Sequence, residues 1–269
     1  MEDRFTDRTA VVTGGGAHTK RALGIGETTA ELLAEEGADV AVLDVEEAMA
    51  ERTVSNFDTL VGDTLALECD VTDAAAVAAA MEHVDDRLGG IDILVNNVGI
   101  RIEGSSLPDA EETAMEHIVD VNLQGVARCC KHAIPPMSRN GGTIVNVASA
   151  NATVGRAEWS LYDATKAGVM ALTRDIACDH AADDIRANAV SPGWTITDYH
   201  LGDVSDDEAS DRIKEATTRR EDGPAILKRH AHPRELAEGI AFLASDASSY
   251  VTGTTLEVDG GMNTVGRQL

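Results

Sequence analysis

Residues 9–26 read T-A-V-V-T-G-G-G-A-H-T-K-R-A-L-G-I-G, and residues 39–44 read D-V-A-V-L-D. The first five residues, Thr9–Thr13, are apolar or β-branched, which predicts a short buried strand. A helix over 27–36 and a second strand over 39–43 are expected to follow. A glycine-rich turn between a strand and a helix, followed by another strand, predicts a βαβ unit.

The turn of this unit has the features of a phosphate-binding loop. Gly14, Gly24, Ile25 and Gly26 would bring backbone amides close to a pyrophosphate at the helix N-terminus. Asp44 lies 18 residues after Gly26, near the spacing of about 20 that is typical of a carboxylate binding a ribose 2′-hydroxyl. The pattern predicts a dinucleotide site. Because Asp44 would repel a 2′-phosphate, NAD is expected rather than NADP.

A second group of polar residues lies in S-A-N-A-T-V-G-R-A-E-W-S-L-Y-D-A-T-K at 149–166. Tyr162 and Lys166 are four residues apart in a predicted helix over 162–181, so the phenol and the ammonium share one helix face. A free tyrosine has a pKa of about 10, and a neighbouring ammonium would lower that pKa. Ser149 can hydrogen-bond the same substrate oxygen. The three residues predict proton transfer at a carbinol or carbonyl oxygen.

Together with T-G-G…G-I-G at 13–26, N-N-V-G at 96–99 and P-G at 192–193, these residues resemble the short-chain dehydrogenase/reductase family from about residue 8 to residue 261. The resemblance implies an α/β fold, a single-domain, doubly wound (Rossmann-type) parallel sheet with helices on both faces, over residues 1–269. It also implies an NAD(P)-dependent oxidoreductase that interconverts a secondary alcohol and a ketone or aldehyde, with Tyr162 as the acid/base.

The resemblance extends to individual positions. It implies that Asn122 holds a water near Lys166, and that Asp70 contacts the adenine. A helix cap is the other interpretation of Asp70, and Thr72 or Asp73 could serve equally well. The candidate catalytic residues are therefore Asn122, Ser149, Tyr162 and Lys166, and the candidate cofactor-binding residues are Gly14, Gly24, Ile25, Gly26, Asp44, Asp70, Val71, Asn96, Gly99, Tyr162, Lys166, Pro192, Gly193, Thr195 and Thr197.

The chain departs from the family in its glycine-rich turn. Nine residues separate Gly14 from Gly24, where the family usually has three. The extra segment, residues 17–23, leaves open which amides hold the phosphates. Lys20 and Arg21 in this segment either reach the cofactor phosphates or lie in a solvated loop, and the sequence favours neither interpretation.

The composition narrows the possible partners. The chain has 47 acidic and 22 basic residues and a net charge of −25, which disfavours nucleic acid and anionic membranes as partners. Only five of the bases are lysine, a pattern that predicts adaptation to a salt-rich cytoplasm, as in halophiles; the alternative is an ordinary acidic enzyme. The absence of a long apolar run predicts a cytoplasmic protein. The four cysteines are expected to be buried thiols, and no metal site is expected.

Residues 198–230 are polar and acidic, with Asp203, Asp206, Asp207, Glu208 and Asp211 close together. We expect a substrate lid here, although such acids are usually a solvated surface. A helix over 111–134 and the one over 162–181 would pair subunits into a homodimer or homotetramer, as the resemblance implies.

The substrate is the least determined feature. Trp159 and Trp194 are expected to flank the site, and the polar loop around it favours a sugar or polyol slightly over a long acyl chain. The alternatives are a 3-oxoacyl (acyl-carrier) reductase, a hydroxysteroid-type dehydrogenase, an enoyl reductase or epimerase on the same fold, and, remotely, an NAD-sensing module without catalysis. The acidic lid disfavours an anionic carrier.

Overall fold

A computed structural model describes residues 3–19, 23–57, 62–102, 106–202 and 204–264. Its seven strands form a single parallel sheet. They are β1 (Thr9–Thr13), β2 (Asp39–Asp44), β3 (Thr64–Glu68), β4 (Ile93–Asn96), β5 (Gly142–Val147), β6 (Ile185–Pro192) and β7 (Thr255–Val258).

The strand order is β3-β2-β1-β4-β5-β6-β7. The chain runs outward from β1 to β3, returns to place β4 beside β1, and then continues outward to β7. This reversal opens a crevice at the carboxyl ends of β1 and β4, where doubly wound sheets bind ligands. The predicted fold class is confirmed, and the crevice fixes where the site must lie.

Helices cover both faces of the sheet. They are α1 (Ile25–Glu35), α2 (Glu47–Ser55), α3 (Ala74–Leu88), α4 (Glu112–Val119), α5 (Val126–Met137), α6 (Ser160–Asp179), α7 (Asp198–Leu201), α8 (Asp206–Thr217) and α9 (Pro233–Ala244). Successive strand residues point to opposite faces. Ala10 and Val12 therefore pack against α1 and α9, whereas Val11 packs in the core that α3, α5 and α6 cover.

The helix predicted over 111–134 is interrupted. A π-helical turn, Asp120–Gly125, separates α4 from α5. Such turns insert a residue into the helix and are frequent at functional sites, and this one contains Asn122. The helix also continues three residues further than predicted, through Pro135 and Pro136. Met137 is buried at its end, which offsets the hydrogen bonds lost at the two prolines.

Three of the four cysteines are buried as predicted: Cys69, Cys129 and Cys130. The prediction is wrong for Cys178, which is exposed on the solvent side of α6 beside the exposed Arg174 and Asp175. In the part of the chain that the structure describes, no helix has both the length and the apolar character needed to cross a bilayer.

Candidate active site

A cavity of about 230 Å³ opens at the carboxyl edge of the sheet. β5 ends two residues before Ser149, and α6 brings in Tyr162 and Lys166. All three side chains line this one cavity. The structure thus brings together the three residues on which the predicted chemistry depends.

Ser149 and Tyr162 are directly connected. Burial raises the pKa of the Tyr162 phenol, while a hydrogen bond with Ser149 acts to lower it. Arg156 and Arg101 also lower the pKa of this phenol through their positive charge, and Asp163 raises it. Burial has the largest effect, so the net shift is opposite in direction to the one predicted from the lysine.

Lys166 is buried at 3% exposure, and its Nζ donates to the backbone carbonyl of Val147 at 2.8 Å. Burial lowers the pKa of Lys166 to about 8, which still leaves the ammonium mostly protonated at neutral pH. The Val147 carbonyl at the end of β5 therefore holds a positive charge inside the cavity, one helical turn from the phenol.

Asn122 is fully buried in the π-helical turn. Its side chain accepts from the backbone N–H of Ile100 and donates to the Ile100 carbonyl, both at 2.8 Å. It also donates to Thr165 on α6 at 3.3 Å. Asn122 therefore holds the loop after β4 against the helix that carries the catalytic pair, and its role with a water stays a prediction.

The glycine-rich turn fits a pyrophosphate despite the extra segment. A Cβ on Gly26 would lie 2.3 Å from the Gly14 carbonyl oxygen, and one on Gly14, where φ is +60°, would lie 2.8 Å from Cα of Val98. Gly14 and Gly26 are thus in contact although nine residues separate Gly14 from Gly24. The bare backbone at the N-terminus of α1 is the cradle that a dinucleotide phosphate needs.

Asp44 ends β2 beside this turn. Its carboxylate accepts from the backbone N–H of Gly16 at 2.9 Å and from that of Glu46 at 3.3 Å. A Cβ on Gly16 would lie 2.6 Å from the same carboxylate. The half-buried Asp44 is therefore fixed at the end of the strand, as a ribose-binding carboxylate must be.

Asp70 and Val71 follow the end of β3, and neither is among the described residues that line the cavity. Asp70 is exposed and accepts from the N–H and hydroxyl of Thr72, both at 2.8 Å. The cap of α3 is Asp73, which accepts from Ala75 and Ala76. Val71 is buried in the core. Contact of Asp70 and Val71 with an adenine stays a prediction.

Asn96 is buried in the sheet, where its amide donates to Oδ1 of Asn146 at 2.8 Å. It links β4 to β5, as a sheet-supporting role requires. The cavity is lined instead by its neighbour Asn97, which donates to the Gly14 carbonyl at 2.7 Å. The sequence did not predict Asn97, because nothing in a pair of adjacent asparagines indicates which of the two side chains faces the cavity.

The other predicted positions near the nicotinamide are brought to the cavity. A Cβ on Gly99 would lie 3.0 Å from Nζ of Lys166, so a larger residue at this position would crowd that ammonium. The predicted residues that line the cavity besides the catalytic three are Ile25, Gly99, Pro192, Gly193, Thr195 and Thr197, and the predicted flanking Trp159 and Trp194 line it as well.

Glu27 is a further residue that the sequence did not indicate. It lies in the first turn of α1 at 3% exposure, and its carboxyl group accepts from the Gly24 N–H. Burial, above all, and the nearby charges of Asp198, Glu31 and Asp44 raise the pKa of Glu27 to about 8. The carboxyl is therefore mostly neutral at pH 7, which limits negative charge where phosphates would bind.

The extra segment contacts the predicted lid. Leu23 packs in a small cluster with Ile196, Leu201 and Ala209, and the Leu23 carbonyl accepts from the backbone N–H of Asp198 at 3.1 Å. Thr19 donates to the Asp198 carboxylate at 2.6 Å. Lys20 and Arg21, for which two interpretations were open, lie outside the described residues, as does Asp203 of the acidic cluster.

A family model and two known proteins match nearly the whole length of this chain. A family model described as enoyl-(acyl carrier protein) reductase matches residues 16–263. The cis-4-hydroxycyclohexanecarboxylate dehydrogenase of Sinomonas cyclohexanicum is 41% identical over 266 residues, which are 98% of this chain and 100% of that protein. The 3-oxoacyl-(acyl-carrier-protein) reductase FabG of Staphylococcus aureus is 36% identical over 257 residues, covering 95% of this chain and 98% of that protein.

The same similarity extends to solved structures. The crystal structure of a short-chain type dehydrogenase/reductase from Mycobacterium marinum has a TM-score of 0.82 and 30% sequence identity with this chain, and the match covers 98% of each chain.

Proposed function

Since the chain belongs to the short-chain dehydrogenase/reductase family, we propose that this oxidoreductase uses NAD to oxidise a secondary alcohol, with Tyr162 as its base. The observation that supports this most is the convergence of Ser149, Tyr162 and Lys166 in one cavity. A non-catalytic NAD sensor would have no use for that arrangement.

Each side chain has a distinct task in this proposal. Ser149 hydrogen-bonds the substrate oxygen and orients it, and Tyr162 removes the hydroxyl proton as the carbonyl forms. Lys166 holds positive charge near the developing phenolate and offers N–H donors to ribose hydroxyls. The nicotinamide cofactor, when bound, accepts the hydride. Positioning plus general acid–base catalysis, the latter typically worth about 10²–10⁴-fold, would supply much of the rate enhancement.

The preference for NAD over NADP rests on Asp44. Its carboxylate is held at the end of β2 by backbone N–H groups of Gly16 and Glu46, so it cannot easily turn away from a 2′-phosphate. We predict that Asp44→Ala reduces the ratio of kcat/KM for NAD to that for NADP by about tenfold or more, since one charge-assisted hydrogen bond is worth about 1.5–3 kcal/mol. An unchanged ratio would assign cofactor choice to the extra segment instead.

A second candidate is reduction of a 3-oxoacyl thioester, which the 36% identity to a 3-oxoacyl reductase favours. A panel of substrates separates the two. It contains cis-4-hydroxycyclohexanecarboxylate, cyclohexanol, sugars and polyols with NAD at high salt, and a 3-oxoacyl and an enoyl thioester with reduced cofactor, all followed by cofactor absorbance. Turnover of ring alcohols or polyols supports the proposal. Turnover of thioesters alone would replace it, and cofactor binding without turnover would revive the sensing role.

The remaining parts of the proposal concern the substrate lid, the oligomeric state and the salt adaptation of the enzyme. Residues 198–230 would act as a substrate lid, since His200 on α7 lines the cavity. Ala164 and Ala171 are exposed on α6, and such small residues would let a second copy approach closely in a homodimer or homotetramer. Adaptation to a salt-rich cytoplasm is proposed on the charge of −25.

A further inference from the structure

Arg101 is an unusual arginine in this molecule. It is half-buried in the loop after β4 and lines the cavity that holds Tyr162. The other half-buried arginines in the described ranges each donate to a carboxylate or a carbonyl. Arg101 alone among them donates no hydrogen bond to a described residue, although the chain has 47 acidic residues.

Aromatic rings hold Arg101 in place instead. Its guanidinium carbon lies 3.6 Å from the centre of the Tyr199 ring on α7 and 5.9 Å from that of Trp159. Both distances are within the range of cation–π attraction. These contacts use the face of the guanidinium and leave its N–H groups in the plane available for an acceptor.

A second guanidinium faces the same cavity. Arg156 lies 3.8 Å from the centre of the Trp159 ring, so both arginines pack around one indole. Asp163 pairs with Arg156 at 3.0 Å, yet the buried Nε–H of Arg156 finds no acceptor among the described residues. Two guanidinium groups therefore line this cavity, and the neighbouring Asp163 forms an ion pair with Arg156.

Among the residues that the structure describes, those that line the cavity include no carboxylate. His200, beside Arg101, has its pKa lowered by burial and by the charges of Arg101 and His230, so it is neutral at pH 7. The acids of α8, Asp206, Asp207, Glu208 and Asp211, are all exposed. They form a solvated surface, and they do not line the cavity as the described residues define it.

We propose that the substrate is an anionic secondary alcohol, whose carboxylate or sulfonate is bound by Arg101 with help from the Nε–H of Arg156. The proposal rests on the proposed alcohol oxidation and narrows its substrate class. It goes beyond the expectation, drawn from the acidic lid, that an anionic carrier is disfavoured, because it concerns a small anionic substrate. Guanidinium N–H groups match two carboxylate oxygens in geometry and charge, and Arg101 would hold such a group while the hydroxyl reaches Tyr162.

The test compares substrates that differ only in charge. cis-4-Hydroxycyclohexanecarboxylate, the corresponding sulfonate and the neutral primary carboxamide are assayed with the wild type, Arg101→Gln and Arg101→Lys. We expect the wild type to favour at least one of the anions over the carboxamide by about tenfold or more in kcat/KM, mainly through KM. Whether the carboxylate or the sulfonate is preferred identifies the acid group.

Arg101→Gln should bring the anion-to-carboxamide ratio of kcat/KM close to one, whereas Arg101→Lys should restore part of the preference because it keeps the charge. Arg87→Gln is the matched control. It removes one positive charge from an exposed site at the end of α3, so the ratio should not change.

Two results would overturn the proposal: a wild type that oxidises the carboxamide as well as both anions, or an anion preference that survives Arg101→Gln. In both cases alcohol oxidation itself continues, so the proposed function stands. If no alcohol of the wider panel is oxidised by the wild type, the proposed function fails first, and the anion site fails with it.

Discussion

Glu27 carries a buried carboxyl group close to where the cofactor phosphates would bind. Its pKa is raised to about 8, chiefly by burial, against about 4.3 for a free glutamate. Between these values the folded chain holds a proton that the unfolded chain has lost. The free energy of unfolding therefore decreases as pH rises, by up to about 1.4 kcal/mol per pH unit, until the pH passes the folded pKa.

Glu27→Gln tests this ionisation, because the amide keeps the size of the side chain and the acceptor for Gly24. We predict that the wild type binds NAD more weakly at pH 9 than at pH 7, since the ionised carboxylate would repel the pyrophosphate. Lys166, whose pKa is also about 8, loses its proton in both proteins, so the affinity of Glu27→Gln should still decrease with pH, but by less than that of the wild type. Titration calorimetry at the two pH values measures both dissociation constants. Equal pH dependence in the two proteins would contradict this role.

At the scale of elements, the described residues of the extra segment contact the proposed lid. Leu23 packs against Ile196, Leu201 and Ala209. The Asp198 carboxylate accepts hydrogen bonds from the Thr19 hydroxyl and from the backbone N–H of Leu23. Because the segment begins at the glycine-rich turn, cofactor binding and the position of the lid should depend on one another.

Leu23→Ala should loosen the lid, since removing buried methyl groups costs about 2–5 kcal/mol in a packed cluster. We expect faster proteolytic cleavage within α8, with bound NAD giving less protection than in the wild type. The control is Leu65→Ala on β3, which removes the same atoms from a half-buried side chain packed against the main core, away from the lid. If both variants are cleaved in α8 at the same rate, the two segments are not coupled.

The strands predicted over 9–13 and 39–43 and the helices predicted over 27–36 and 162–181 match the observed elements to within two residues. Runs such as T-A-V-V-T at Thr9–Thr13 are continuous and apolar because both faces of a parallel sheet are buried. The sequence did not predict the π-helical turn, since Asp120–Gly125 keeps the periodicity of an ordinary helix closely enough to hide one inserted residue.

The same limit applies to the site. Tyr162, Lys166 and Ser149 could be predicted because their spacing on one helix and one strand end is itself the signal. Glu27 and Arg101 could not, because their properties come from the folded chain: burial, and to a lesser extent the charge of Asp198, raise the pKa of Glu27, and Tyr199 and Trp159 hold Arg101. A local sequence pattern does not indicate contacts between residues that lie so far apart in the chain.

For the whole molecule, the net charge of −25 is the dominant feature. Repulsion among the acids opposes the compact state, and added salt weakens it because the Debye length decreases to about 3 Å at 1 M. We predict that the urea concentration at the unfolding midpoint rises steadily from near-zero to molar KCl. Sucrose at matched osmolality is the control for non-ionic effects. A midpoint that does not change with KCl would remove the salt-adapted interpretation.

The central claim is that Tyr162 transfers the substrate proton in the cavity it shares with Ser149 and Lys166, and Tyr162→Phe tests it most directly. Turnover of the best alcohol of the panel and NAD affinity are measured together, with the exposed Tyr250→Phe as control. We predict that kcat falls by about 10²–10⁴-fold while the NAD dissociation constant changes little, and that Tyr250→Phe behaves as the wild type. Retention of more than about a tenth of the activity in Tyr162→Phe, far above what loss of general acid–base catalysis allows, would contradict the account.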